Sequence, residues 1–271
     1  MILSNTEIGQ SIFEMVIKHP RLANNARAGH FVIVMADENG ERIPLTIADY
    51  DSKRGTITLV VMAVGTSTRK ITSLKVGDSL HAVIGPLGHP SEIENYGTVI
   101  MAAGGVGTAP IYPIAKSLKD AGNKIITIQG SRNESLLFWK DKIAAVSDKH
   151  IITTDDGSCG RKCLVTEPLR EELEAGGVDC VYAIGPAIMM KFCAETCRPF
   201  GVKTVASLNS IMIDGTGMCG GCRVRIGNET KFTCVDGPEF DALKIDWNLL
   251  IARQKMYCDA EKCSLSKYNN F

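Results

Sequence analysis

The run TVIMAAGGVG at positions 98–107 constrains the chain more than any other segment. Between Thr98 and its glycines it has no polar break, as expected of a strand covered on both faces, the usual condition in a parallel sheet. It passes at once into TAPIYPIAKSLKDAG, an amphipathic helical pattern closed by Gly122. KIITIQG, HIITTDDG and VDCVYAIGP follow as further short apolar runs, with helical stretches between some of them. Strand alternating with helix implies a parallel sheet with crossover helices, and such sheets bind ligands beyond the carboxyl ends of their strands.

Glycine and polar residues gather at those strand ends. Gly104, Gly105, Val106 and Gly107 follow the first strand and Thr108 opens the helix, with Pro110 suited to its first turn. Bare backbone there lets a pyrophosphate approach the amides and the positive end of the helix dipole. A tight turn with no ligand would use the same glycines. The other strand ends weigh against that simpler reading: Ser131 and Arg132, then Asp155 and Asp156, then Gly185 and Pro186. Together they are expected to form one cleft in a Rossmann-like nucleotide domain over residues 96–205.

Upstream of Gly97 the pattern is different. SIFEMVIKHP, HFVIVMAD, RIPLTIAD, GTITLVVMAVG and DSLHAVIGPLG are β-rich runs split by Gly, Asp and Asn, with no 3.6-residue period between them. An antiparallel β-barrel is expected over residues 1–95. The formal net charge is zero and the pI near 6.9, which favours neither nucleic acid nor an anionic membrane as partner. No apolar run reaches the roughly 18–20 residues of a membrane span. The first ten residues lack the basic and apolar regions of a signal peptide, so a cytoplasmic location is expected.

All ten cysteines lie from Cys159 onward, and in a cytoplasmic chain metal or redox use is favoured over disulfides. Cys219, Cys222 and Cys234 form a C-x2-C pair with a third cysteine beyond, among Gly215, Gly217, Gly220 and Gly221. Glycine there lets backbone amides point at sulfide, as an iron–sulfur cluster requires. Counting back in the C-x4-C-x2-C spacing of plant-type 2Fe–2S proteins lands on Asp214, whose carboxylate can ligate iron. Zinc held by the three cysteines fits the ligand count but not the density of glycine. This small C-terminal segment, 206–271, ends in a polar helical tail. Cys258 and Cys263, like Cys159, Cys163, Cys180, Cys193 and Cys197, read as plain thiols.

Barrel, nucleotide domain and cluster segment, in that order, resemble the ferredoxin–NADP reductase superfamily. Within it the chain is similar to the small subunits of NADH-dependent reduced ferredoxin:NADP oxidoreductase, related to the electron-transfer subunits of dihydroorotate dehydrogenase B. Arg42-Ile43-Pro44-Leu45-Thr46 resembles the family's flavin motif, which implies Arg42 at the FAD phosphates and Pro44, Leu45 and Thr46 near the ring, with Val61 beside them. Gly65-Thr66-Ser67-Thr68 resembles the second flavin-contacting turn. GGVGTAP and DDGSCGRKCLVT match the nucleotide segments, although Cys163 stands where the pattern has glycine. Gly185, Pro186 and Met189 match the segment beside the nicotinamide, with Ile184 replacing its cysteine.

The resemblance implies FAD, a 2Fe–2S cluster and a nicotinamide nucleotide as cofactors, with hydride transfer at the flavin and no side-chain acid or base. Asp214 favours the ferredoxin:NADP oxidoreductase small subunits, whose cluster takes one aspartate and three cysteines, over dihydroorotate dehydrogenase subunits, which carry four cysteines. NAD(H) is expected, since Asp155 and Asp156 would repel a 2′-phosphate. Arg132 would grip one, which keeps NADP(H) as the alternative. A larger flavoprotein subunit with a second FAD and 4Fe–4S clusters is the implied partner, and ferredoxin would be reached through that complex by electron bifurcation.

Overall fold

The computed structural model describes residues 1–269. Its N-terminal part contains strands β1 (Ile2–Gly9), β2 (Ile12–Lys18), β3 (Phe31–Met35), β4 (Ile43–Thr46), β5 (Asp49–Asp51), β6 (Thr56–Met62) and β7 (Ala82–Leu87). They pair antiparallel in two sheets, β1-β2-β6-β5 and β4-β3-β7, closed around one core. The period of two sets the faces. In β6, Ile57, Leu59 and Val61 fill that core, while Val60 and Met62 face outward. Strand β1 and helices α1 (Pro20–Asn25) and α2 (Thr66–Ser73) had no clear sequence signal. Only Ile2 is buried in β1, and only Ser67 and Ile71 in α2, so neither shows a convincing apolar period.

Next come β8 (Thr98–Gly104), α3 (Thr108–Asp120), β9 (Lys124–Ser131), α4 (Lys140–Val146), β10 (Lys149–Thr154), β11 (Arg161–Lys162), α5 (Thr166–Ala175), β12 (Cys180–Ile184), α6 (Ala187–Cys197) and β13 (Lys203–Ser207). The remainder holds β14 (Arg223–Ile226), β15 (Glu229–Phe232), α7 (Thr233–Asp236), β16 (Glu239–Asp241), α8 (Trp247–Gln254) and α9 (Cys258–Asn269). A seven-stranded sheet runs β11-β10-β9-β8-β12-β13-β16, parallel except for β16. Alternate residues of β8 serve opposite faces: Val99, Met101 and Ala103 meet α3 and α4, whereas Ile100 and Ala102 meet α5, α6 and α8. Connections therefore change face between β8 and β12, the switch point at which such sheets open a crevice. The fold is mixed, with antiparallel barrel sheets, a helix-covered parallel sheet and a cysteine-bearing segment.

That last segment is woven into the sheet. It supplies β16, and Val224, Ala242, Ile245, Trp247 and Leu250 join the core beside α6. The barrel is fixed to the sheet as well. Ile12, Ala48 and Val60 pack on Ala109, Leu136 and Phe138. Lys142 pairs with Asp49 at 2.9 Å and lies over the rings of Tyr112 and Trp139, while Trp139 Nε1 donates to Glu14 at 2.8 Å. Among the described residues no helix is long and apolar enough to cross a membrane.

Candidate functional site

A cleft of about 850 Å³ opens where the carboxyl ends of β8, β9, β10, β12 and β13 face the barrel. The sheet contributes Gly104–Gly107, Ser131, Arg132, Asp155, Gly185, Pro186 and Met189, and the barrel contributes Pro44, Leu45 and Thr46. Residues singled out from two distant parts of the sequence thus share one cavity. Its walls are mainly apolar, with Val60, Met62 and Ile184 among them, and polar groups lie at the strand ends, the usual make-up of a site for flat rings with charged tails.

The glycines are there for different reasons. A Cβ on Gly104 would collide with Met189 Sδ, so this glycine lets β8 and α6 approach closely. Gly105 has φ +54° and open space where its Cβ would be. Its backbone takes a left-handed turn that exposes peptide groups to the cleft, ahead of α3. Nothing on the residue blocks a ligand from reaching them.

Several expected residues lie elsewhere. Val61 is fully buried inside the barrel; its neighbours Val60 and Met62 line the cleft, because adjacent strand residues face opposite ways. Thr108 is also buried, within hydrogen-bonding reach of Gln129 at 3.5 Å. Asp156 is engaged by Ser158, whose backbone N–H and hydroxyl both donate to it, which holds its carboxyl below the usual range. Asp155 and Arg132 both line the cleft. Arg42 and Gly65–Thr68 do not line the cleft; the turn at 65–68 is tied to the residue before Arg42, since Ser67 Oγ donates to Glu41, and is held internally by Thr68 Oγ1, which accepts from the Gly65 amide. Sequence reasoning missed Leu164, Ile188 and Phe192 on the cleft wall. Ile188 and Phe192 stand one helical turn apart on α6, and that i, i+4 apolar pair just after Gly185-Pro186 is the sequence signal that would have found them; the structure leaves both half exposed.

The cysteine loop lies against the barrel. Met212, Cys222 and Cys234 pack with Phe31 and Ile33 of β3, and a Cβ on Gly215 would press on Ile33 and Leu87 at 2.8 and 3.0 Å. Cys222 Sγ and Cys234 Sγ are 3.2 Å apart. Burial first, then the hydrogen bond and charge of Cys222, push the Cys234 thiol up to about 12, opposed by the Gly217 amide. The Gly221 N–H donates to Cys219 Sγ at 3.4 Å and the Cys234 N–H to Cys222 Sγ at 3.5 Å. Asp214 accepts from the Thr216 hydroxyl and amide and, at 3.4 Å, from the Met218 amide. Those hydrogen bonds, with the charge of Arg42 as a smaller contribution, lower its carboxyl pKa. Among the described residues no three His, Cys, Asp or Glu side chains are gathered as a ready metal site. Even so, two sulfurs from the glycine-rich loop and a third from the start of α7, each met by a backbone amide, suit an iron–sulfur group.

A family model of the iron–sulfur cluster binding domain of dihydroorotate dehydrogenase B matches residues 209–246, and one of an oxidoreductase NAD-binding domain matches residues 101–195. The chain is 45% identical to a dihydroorotate dehydrogenase B (NAD(+)) electron transfer subunit homolog of Thermotoga maritima, over 98% of this chain and 94% of that protein. The dihydroorotate dehydrogenase B (NAD(+)) electron transfer subunit of Clostridium perfringens is 32% identical over 91% of this chain and 96% of that protein. A structure giving insights into flavin-based electron bifurcation, the NADH-dependent reduced ferredoxin-NADP oxidoreductase, superposes with a TM-score of 0.94 at 45% identity, over 98% of this chain and 96% of that one. Phthalate dioxygenase reductase, at 17% identity and a TM-score of 0.60 over 83% of this chain and 85% of that one, shares the fold.

Proposed function

Since this chain belongs to the family of dihydroorotate dehydrogenase B electron-transfer subunits and their homologues, we propose that it passes electrons between NAD(H) and a larger partner subunit by way of FAD and a 2Fe–2S cluster. The observation that carries this reading is the position of β3. Its outer residue Ile33 touches the Gly215 position of the cysteine loop and pairs across the sheet with Pro44, which lines the cleft. Neighbouring strands lie about 4.8 Å apart. Cleft and cysteine loop are therefore separated by roughly one barrel strand.

The division of labour follows the residues. Gly104–Gly107 and the start of α3 would receive the nucleotide pyrophosphate, and Gly185, Pro186 and Met189 would hold the nicotinamide. Asp155, the acidic group left facing the cleft once Asp156 is bound to Ser158, favours NAD(H) over NADP(H). Pro44, Leu45 and Thr46 would position the flavin ring, and Arg42 with Gly65–Thr68 its phosphates. Cys219, Cys222 and Cys234, with Asp214, would hold the cluster. When bound, FAD accepts a hydride's electron pair and the cluster carries electrons singly. The protein's part is stacking, water exclusion and electrostatics.

The 45%-identical NADH-dependent reduced ferredoxin-NADP oxidoreductase structure supports reading this chain as part of a bifurcating complex; the partner would then bear a second FAD and 4Fe–4S clusters and deliver electrons to ferredoxin, and the complex would be cytoplasmic. The second reading, a dihydroorotate dehydrogenase subunit, draws on the 45%-identical homolog of Thermotoga maritima and on the relatives near 30% identity. A visible spectrum of anaerobically purified protein, with flavin, iron and sulfide assays and dye reduction by NADH against NADPH, tests the proposal. Folded protein lacking both flavin and acid-labile sulfide would overturn it.

A further inference from the structure

Two arginines converge on the two-glycine bridge between Cys219 and Cys222. Arg223, at the start of β14, donates from Nη1 to the Gly220 carbonyl at 3.1 Å. Arg253, near the end of α8, donates from Nη2 to the Gly221 carbonyl at 2.9 Å. The two come from separate elements, yet they bind consecutive peptide units of one loop. Both line a small cavity together with Cys219.

The planarity of the peptide gives these contacts a consequence. In a trans peptide the C=O and the N–H point in opposite directions. The peptide whose oxygen is held by Arg223 is the same one whose nitrogen, Gly221 N, donates to Cys219 Sγ. Fixing the oxygen outward thus fixes the N–H on the sulfur. Arg253 does likewise for the next peptide, turning the Cys222 N–H away from its own side of the loop. Glycine needs such fixing, since with no side chain both peptides are otherwise free to rotate.

Resting on the cluster assignment above, we propose that Arg223 and Arg253 are positioning residues that raise the reduction potential of the iron–sulfur centre. Arg223 does so by aiming the Gly221 amide at Cys219 Sγ, Arg253 by holding the next peptide of the loop, and both by placing positive charge beside the centre. Gaining one electron makes such a centre one charge more negative. Hydrogen bonds to sulfur and nearby cations stabilise that reduced form more than the oxidised one. Arg253 is partly buried and Arg223 exposed, so Arg253 carries the larger effect.

The test is a dithionite titration of the full anaerobic protein, followed by electron paramagnetic resonance, for the wild type, R223Q, R253Q, R223K and R253K. At the wild-type midpoint the reduced-to-oxidised ratio is expected to fall about tenfold in R253Q, a shift of about 59 mV for one electron, and by less in R223Q. The lysine variants keep a charge and a donor and should lie closer to the wild type. Glutamine variants with full cluster content and an unshifted midpoint would overturn the proposal. If R253Q fails to assemble, R223Q decides by the same criterion. A wild type without any cluster defeats the proposed function and this inference with it, whereas a loaded wild type with unshifted variants defeats the inference alone.

Discussion

Replacing Glu239 by glutamine should make the protein more stable above neutral pH and remove one source of its pH dependence. Glu239 opens β16 and accepts a hydrogen bond from Ser91 Oγ at 2.5 Å, where the segment leaving the barrel meets the edge of the sheet. Burial pushes its carboxyl up to about 7; Glu92 adds to the rise and the Ser91 hydrogen bond opposes it. In the unfolded chain the group ionises near 4.5. The folded state therefore holds an extra proton between these values, and stability falls as pH rises through that window. With about 1.4 kcal/mol per tenfold change in proton affinity, the ionised carboxylate costs about 1 kcal/mol at about pH 5.5 and about 3 kcal/mol at about pH 8.5. Urea unfolding of both proteins at these two pH values isolates the effect, because every other titrating group is shared. The advantage of E239Q should grow by about 2 kcal/mol across the range. An advantage that stays constant with pH would refute the reasoning.

Gly104→Ala should cost about 1–3 kcal/mol through overpacking against Met189, and adding Met189→Ala should recover much of it in a thermal-unfolding double-mutant cycle. Lys142→Met removes a half-buried ion pair and two ring contacts between barrel and sheet. A loss of about 1 kcal/mol is expected, read from urea midpoints. Burial raises the Cys180, Cys193 and Cys197 thiols. Iodoacetamide on native protein should leave these three unmodified while labelling exposed Cys263, with mass spectrometry as the readout.

The parallel sheet was legible because its signal is local and strong. Val99–Ala103 is apolar on both faces, and a run of that kind has few ways to be covered. The cysteine spacing was legible too, since ligand chemistry restricts residue type. Side-chain direction was harder. Val61 reads as well as Val60 or Met62 until strand pairing sets the faces, and a slip of one residue moves a side chain from cleft to core. Strand β1 and helix α2 bury so few residues that their patterns scarcely rise above loop composition. The edge strand β16 is three residues long, too short for any periodicity.

Sequence alone determined which kinds of part exist here: a strand-rich start, alternating strands and helices with glycine at their ends, and a thiol loop. Each follows from short-range rules of covering apolar residues and of bending backbone at glycine. Only the tertiary structure decided that strand β4, which carries Pro44 into the cleft, and the thiol loop meet at β3, and that Arg223 and Arg253 reach one two-glycine turn from different elements. Such contacts join residues far apart in the chain. They arise when whole elements dock to bury their apolar faces, and nothing in local spacing encodes them.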